Sequence, residues 1–234
     1  MKLYERFGDK GFHTTLMTSF GIDFDAYENI VLSRLRGSGC HNNILMGDSA
    51  MLSYALEGAS APPRAAGRLY SVTGGRARGV FHPKIVLQLG RKRGRLIVIS
   101  ANITAPGLAG NLEIGAMVDC TAEESAERRL VAAAWQYLTR RFDAEDQAVS
   151  EQLGWMRART SWLFDTEPAE TVLTLQDGTP AAFLASDQPE GIAARFVGFA
   201  AHARREGRES GMTQSPPREG AKKTVARAQI SPGR

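Results

Sequence analysis

The sequence predicts an α/β protein in which a mixed, mostly parallel β-sheet is flanked by helices. Two observations predict this class. Residues 12–73 alternate short apolar or β-branched runs with amphipathic runs of helical period, the order typical of a sheet covered by helices. Residues 84–120 then contain apolar runs that are too short for helices and are apolar at nearly every position, as in strands buried on both faces.

The opening part predicts the order strand, helix, strand, helix, strand. Asp23 is placed to cap the first helix, which Gly37 ends, and Asp48 and Gly58 have the same two roles in the second helix. The predicted elements are a strand at 12–24, a helix at 25–36, a strand at 42–46, a helix at 48–58 and a strand at 68–73.

The middle of the chain predicts three further strands and a long helix. The first two strands are joined by a polar turn at 91–94, and we place both centrally in the sheet because they are apolar throughout. The sequence TAEES from Thr121 resembles a capping box that opens the helix, whose pattern continues weakly to Trp162. The strands are predicted at 84–90, 95–101 and 112–120.

The periodic apolar patterns of the sequence become sparse after Thr166. Residues 166–203 contain one further strand pattern, at 170–178, and no other periodic segment. Residues 204–234 are rich in Arg, Lys, Gly, Pro and Ser with almost no large apolar side chains, which predicts disorder.

Charge and cysteine content narrow the class of protein. Residues 200–234 hold eight Lys/Arg and three Asp/Glu, whereas the rest holds 21 and 22, so a neutral body carries a basic tail that is either solvated or in contact with nucleic acid. Cys40 and Cys120 predict two buried thiols, and we expect no disulfide, metal or cofactor. No apolar run spans a bilayer and the first residues lack a secretory signal, so we expect a cytoplasmic protein without membrane contact.

Polar side chains converge at one end of the predicted hairpin. If its strands pair about the turn at 91–94, residue 82 faces 102 and residue 84 faces 100, which brings four polar groups to one face. A neutral imidazole can attack phosphorus, while an ammonium and neutral donors stabilise the phosphoryl oxygens. Glu113, on the next strand, can hold the imidazole in one tautomer. The four groups are His82, Lys84, Ser100 and Asn102.

These residues resemble the phospholipase D superfamily. HPKIVLQL from His82, followed by ISANITAPGLAGNLE, resembles the His-x-Lys motif of its nuclease and tyrosyl-DNA phosphodiesterase-like branches, with Gly107 and Asn111 also in register. The aspartate that completes the motif in lipase-like members would fall at Leu89. The resemblance therefore points to nucleases and away from phospholipases.

The resemblance implies a metal-independent phosphodiesterase that acts on DNA. In the family, one histidine forms a phosphohistidine intermediate and a second protonates the leaving oxygen. His82 would have either role, Lys84 and Asn102 would hold the phosphoryl oxygens, Ser100 and Asn111 would assist binding, and Glu113 would orient His82. Residues 1–165 would form the catalytic half-domain, and residues 166–203 either the start of an incomplete second half or a C-terminal extension.

The chain has a single His-x-Lys motif, and two explanations remain open. A homodimer with twofold symmetry would supply the second His82, and this arrangement gives an active enzyme. Alternatively, the chain is truncated, and a catalytically incomplete module binds nucleic acid or a partner protein. A lipid-headgroup phosphodiesterase is a third hypothesis, which the residue at Leu89 disfavours.

Overall fold

A six-stranded mixed sheet forms the centre of the protein. The structure, a computed structural model, describes residues 3–59, 62–167, 172–186 and 191–212. The strand order across the sheet is β3-β2-β1-β4-β5-β6. The strands are β1 Thr14–Ser19, β2 Asn42–Gly47, β3 Ser71–Gly74, β4 Ile85–Leu89, β5 Arg93–Ile99 and β6 Gly115–Thr121.

Parallel and antiparallel pairing occupy different halves of the sheet. β1, β2 and β3 are parallel, as expected for strands joined by helical crossovers. β4, β5 and β6 form a meander, and β4 is antiparallel to β1. The predicted mixed α/β class is confirmed, and β4 and β5 lie inside the sheet as predicted.

Helices cover both faces of the sheet. The helices are α1 Phe24–Ala26, α2 Ser33–Gly37, α3 Ser49–Glu57, α4 Ala126–Thr139, α5 Gln147–Arg157, α6 Ser161–Phe164 and α7 Gly191–Met212. On one face α4, α5 and α6 contribute Trp135, Met156 and Leu163 to a core cluster that contains Leu16 and Leu87. On the other face α1, α2 and α3 pack against the opposite side of the same strands, with Tyr27 fully buried.

Short polar side chains begin the predicted helices. Asp23 accepts the Ala26 N–H at 3.0 Å, and a π-helical turn, Tyr27–Leu32, joins α1 to α2 in one helical segment that ends at Gly37 as predicted. Ser125, within the predicted capping sequence, is the N-cap of α4. These side chains satisfy N–H groups that have no partner inside the helix.

The hairpin of β4 and β5 differs from its predicted register by one residue. Gly90 N–H donates to the Arg93 carbonyl at 2.8 Å, so a two-residue turn joins the strands instead of the longer turn predicted. Lys84 consequently faces Ile99, whose N–H donates to the Lys84 carbonyl at 3.0 Å, and does not face Ser100. The predicted pairing was wrong because the turn is shorter, and every predicted pair is displaced in the same way.

The C-terminal part begins with a small hairpin, β7 Leu173–Thr174 and β8 Pro180–Ala181, where one strand was predicted. Helix α7 includes residues 204–212 of the segment that was predicted to be disordered; the arginines and glutamates there favour a helix. Residues 213–234 lie outside the described residues. None of the described helices is long and apolar enough to cross a membrane.

The two cysteines are buried, as predicted. Burial raises the pKa of each thiol to about 12, because a thiolate is costly in apolar surroundings. Both therefore act as small apolar side chains of the core.

Candidate phosphodiesterase site

The predicted site residues lie at one end of the sheet. β4 and β6 begin at the end where β1 and β5 finish, because each antiparallel pairing reverses the chain direction. The segments that precede β4 and β6 therefore meet the segments that follow β1 and β5. These segments carry His82, Lys84, Ser100, Asn102 and Glu113.

His82 and Lys84 are in direct contact. The Lys84 Nζ lies 3.1 Å from Nδ1 and 3.2 Å from Nε2 of the imidazole. The ring of Phe20, from the loop after β1, packs on the other side with its centroid 4.6 Å from that of the histidine. His82 is exposed and Lys84 half-buried, so both side chains are open to a ligand.

A threonine hydroxyl holds the segment between the two residues. Pro83 has no N–H, so it cannot extend the ladder between β1 and β4. The buried Thr18 Oγ1 donates to the Pro83 carbonyl and accepts the Ile85 N–H, both at 2.9 Å. The hydroxyl thus replaces a backbone partner and fixes the backbone on which His82 and Lys84 stand.

Asp48 fixes the other side of His82. Its carboxylate caps α3 by accepting the Ala50 and Met51 N–H groups, and its second oxygen accepts the Phe81 N–H at 2.9 Å. The Phe81 bond is the largest cause of the lowered pKa of Asp48, because hydrogen bonds to a carboxylate stabilise its charged form. Asp48 was predicted only as a cap, and its link to the residue before His82 was missed.

Asn102 is tied to the loop after β1. Its Oδ1 accepts the Gly21 N–H at 3.1 Å, which leaves Nδ2 as the donor that a ligand can use. The next residue, Ile103, donates its N–H to Ser19 Oγ at 3.0 Å. A Cβ on Gly107 would collide with the Asn102 carbonyl, so only glycine lets the following turn pack against this segment.

Glu113 contacts Ser100 and Asn111. Ser100 Oγ donates to the carboxylate and accepts the Ile114 N–H at 3.0 Å. Asn111 Nδ2 lies 3.4 Å from the other carboxylate oxygen. Among the described residues, the hydrogen-bond partner of His82 is Lys84 and not Glu113, so the predicted direct orientation of the imidazole by Glu113 is not seen.

Glu113 acts instead on Lys84. Partial burial lowers the pKa of the Lys84 ammonium, and the negative charge of Glu113 raises it and so opposes this effect. The site therefore combines an ammonium of lowered pKa with a carboxylate whose charge favours the protonated form. Among the described residues, no three His, Cys, Asp or Glu side chains are grouped so that they could hold a metal ion.

Comparison with known proteins gives structural neighbours of low sequence identity. No protein-family model and no curated protein matches the chain. Among solved structures, yeast tyrosyl-DNA phosphodiesterase, of the phospholipase D superfamily, is similar over 65% of this chain, with 12% identity and a TM-score of 0.42. Polyphosphate kinase from Porphyromonas gingivalis is similar over 88% of this chain and 26% of its own, with 16% identity and a TM-score of 0.30.

The chain spans 36% of the length of the yeast phosphodiesterase.

Replacement of Thr18 tests how the His82 segment is held. Thr18→Val keeps the shape but removes both hydrogen bonds, and we expect a loss of about 1–3 kcal/mol in the free energy of unfolding, because a buried N–H and a carbonyl lose their partner. Urea denaturation measures this loss, and the NMR signals of His82 should shift. Thr18→Ser keeps the hydroxyl and should lose less than about 1 kcal/mol, the value of one buried methyl. Equal stability of the valine variant and the wild type would show that the Thr18 hydroxyl does not hold the His82 segment.

The pKa of Lys84 gives a second test. An NMR titration of the Lys84 side chain should show a pKa below that of an ordinary lysine, because partial burial disfavours the ammonium. Glu113→Gln removes the charge that raises it, so the pKa should fall further. Glu124→Gln, which changes an exposed carboxylate after β6, should leave it unchanged. An unchanged or higher pKa in the Glu113 variant would show that the carboxylate does not act on Lys84.

Proposed function

We propose that the protein is a cytoplasmic, metal-independent phosphodiesterase that cleaves DNA through a phosphohistidine intermediate and is active as a homodimer. The observation that carries the proposal is the contact between His82 and Lys84 at the end of the sheet. Asn102 binds the same loop after β1 whose Phe20 packs on His82. An imidazole nucleophile, an ammonium and a neutral N–H donor are the groups that phosphoryl transfer requires without a metal.

The first step forms a covalent intermediate. A neutral His82 nitrogen attacks phosphorus, a P–N bond forms and the P–O bond to the leaving group breaks. Lys84 then donates to the non-bridging oxygens instead of the imidazole, and Asn102 Nδ2 donates alongside it. Glu113 keeps Lys84 protonated, and Ser100 and Asn111 hold Glu113 in place.

The two steps need a second group, which acts as an acid in the first step and as a base in the second. A second histidine gives its proton to the leaving oxygen, then takes a proton from the water that breaks the P–N bond, so both groups return to their starting state. A twofold dimer supplies that histidine as His82 of the partner subunit.

The surface beside the site favours a dimer over a truncated, inactive module. Leu112 and Ile114, on either side of Glu113, are 83% and 82% exposed. They precede β6, the edge strand of the sheet, which has a free backbone edge and several exposed residues. Exposed apolar side chains next to an unpaired edge mark an interaction surface. We propose that a symmetric contact through Leu112 and Ile114 forms the dimer.

Cleavage in the presence of EDTA tests the chemistry. The purified protein should cut DNA in EDTA, and mass spectrometry of protein denatured rapidly at alkaline pH should find a nucleotide adduct on His82. His82→Ala should lose activity by at least about 1,000-fold, since the covalent route is lost. His41→Ala, which changes another exposed histidine, should remain active. The proposal would be rejected if the wild type does not cut DNA or cuts it only with added metal. An inert protein would favour the alternative hypothesis of a binding module.

Light scattering tests the dimer. The wild type should measure as a dimer, and Leu112→Asp should measure as a monomer with lost activity, because a charge is placed in an apolar contact. Tyr54→Asp changes a side chain on α3 that is 71% exposed and should keep both properties. An active monomer would rule out the shared site.

A further inference from the structure

A large cavity opens beside His82 and Lys84. Its volume is about 1180 Å³, somewhat above the roughly 300–1,000 Å³ common for small-molecule sites. One wall is the segment 77–85 that leads into β4. The opposite wall comes from the C-terminal part, residues 182–186 and the first turns of α7. The cavity therefore continues from His82 and Lys84 toward the C-terminal part of the chain, which has no role in the proposed chemistry.

The charge of the cavity has one sign. Three cationic side chains line it, and among the described lining residues there is no aspartate or glutamate. An anionic ligand is the charge complement of such a site. The three are Arg78, Lys84 and Arg141.

The far wall of the cavity is aromatic. Tyr137 and Phe183 have ring centroids 5.7 Å apart, and Phe196 and Phe199 have centroids 6.5 Å apart. All four rings line the cavity. Phe196 is 59% exposed, so an apolar ring faces water where a planar ligand could cover it.

We propose that this cavity binds an unpaired nucleobase next to the scissile phosphodiester, so that the substrate is single-stranded nucleic acid or a frayed end. The inference rests on the proposed phosphodiesterase function and names its substrate class. A nucleotide is both anionic and aromatic, which matches basic groups at one end and rings at the other. Bases within a duplex are paired and stacked on their neighbours, so only an unpaired base presents a free face to Phe196.

An acyl chain fits the cavity less well. Aliphatic chains make no specific contact with aromatic faces, whereas a base stacks on them. Contact between this cavity and the same cavity of a second copy is disfavoured, because it would bring like charges together with no carboxylate among the described lining residues.

Binding to three DNA probes tests the inference. Fluorescence anisotropy with the non-cleaving His82→Asn protein measures affinity for a single-stranded oligonucleotide, a blunt duplex of the same sequence and an abasic oligonucleotide of the same length. We expect tighter binding of the single strand than of the duplex. Phe196→Ala should weaken binding of the single strand about tenfold, as the loss of one stacked base does, and should leave binding of the abasic probe unchanged.

Two control variants separate stacking from folding. Val197→Ala changes a side chain of α7 that is 67% exposed and does not line the cavity, and it should bind all probes as the parent does. Phe196→Trp keeps a stacking surface and should bind the single strand as tightly as the parent.

Several outcomes would overturn the inference. One is that Phe196→Ala weakens binding of the abasic probe as much as binding of the single strand, or weakens neither. Another is that the parent protein binds the duplex as tightly as the single strand or more tightly. A third is an affinity for phosphatidylglycerol vesicles, in place of DNA, that depends on Phe196. Failure here is separable from failure of the proposed function. If the wild type cuts DNA in EDTA and Phe196→Ala binds the single strand normally, the base pocket alone is rejected. If the wild type never cuts DNA but the stacking pattern is found, catalysis alone is rejected.

Discussion

The hydroxyl of Thr18 replaces the hydrogen bonding that a proline interrupts, and the geometry of the site depends on it. Pro83 stands between His82 and Lys84 and ends regular pairing at the start of β4. Without another partner, the Ile85 N–H and the Pro83 carbonyl would be left unpaired, which is costly for buried groups. Thr18 satisfies both at 2.9 Å. The segment that carries His82 and Lys84 can therefore leave the regular β-ladder with both of these backbone groups still paired.

Local signals in the sequence predicted most of the fold. Asp23 and Asp48 are short polar side chains before amphipathic runs, and both cap the helices that these runs form. The hairpin register was not predictable from the same signals, because the polar residues at 91–94 suit turns of two or three residues equally well. Shifting a register by one residue turns every side chain to the other face of a strand.

The residues that were grouped from the predicted strand pairing nevertheless lie at the same end of the sheet, for a different reason. Beyond β5 the chain leaves the ladder and crosses toward the loop after β1, where Asn102 binds the Gly21 N–H. The convergence is thus produced by the direction of the strands and by this crossing. The supporting roles of Thr18 and Asp48 could not be predicted, because a threonine in a strand and an aspartate before a helix have ordinary local explanations.

The two surfaces beside His82 have different chemistry, and this allows them to act together. Leu112 and Ile114 precede edge strand β6 and present aliphatic groups, which suits contact with an identical apolar surface. The cavity beneath α7 presents rings and cations with no carboxylate, which suits a nucleotide. If a partner subunit covers the edge strand, the cavity remains the route by which a strand of nucleic acid can reach the imidazole. The phosphodiester would then lie between the two subunits, with its base held against Phe196.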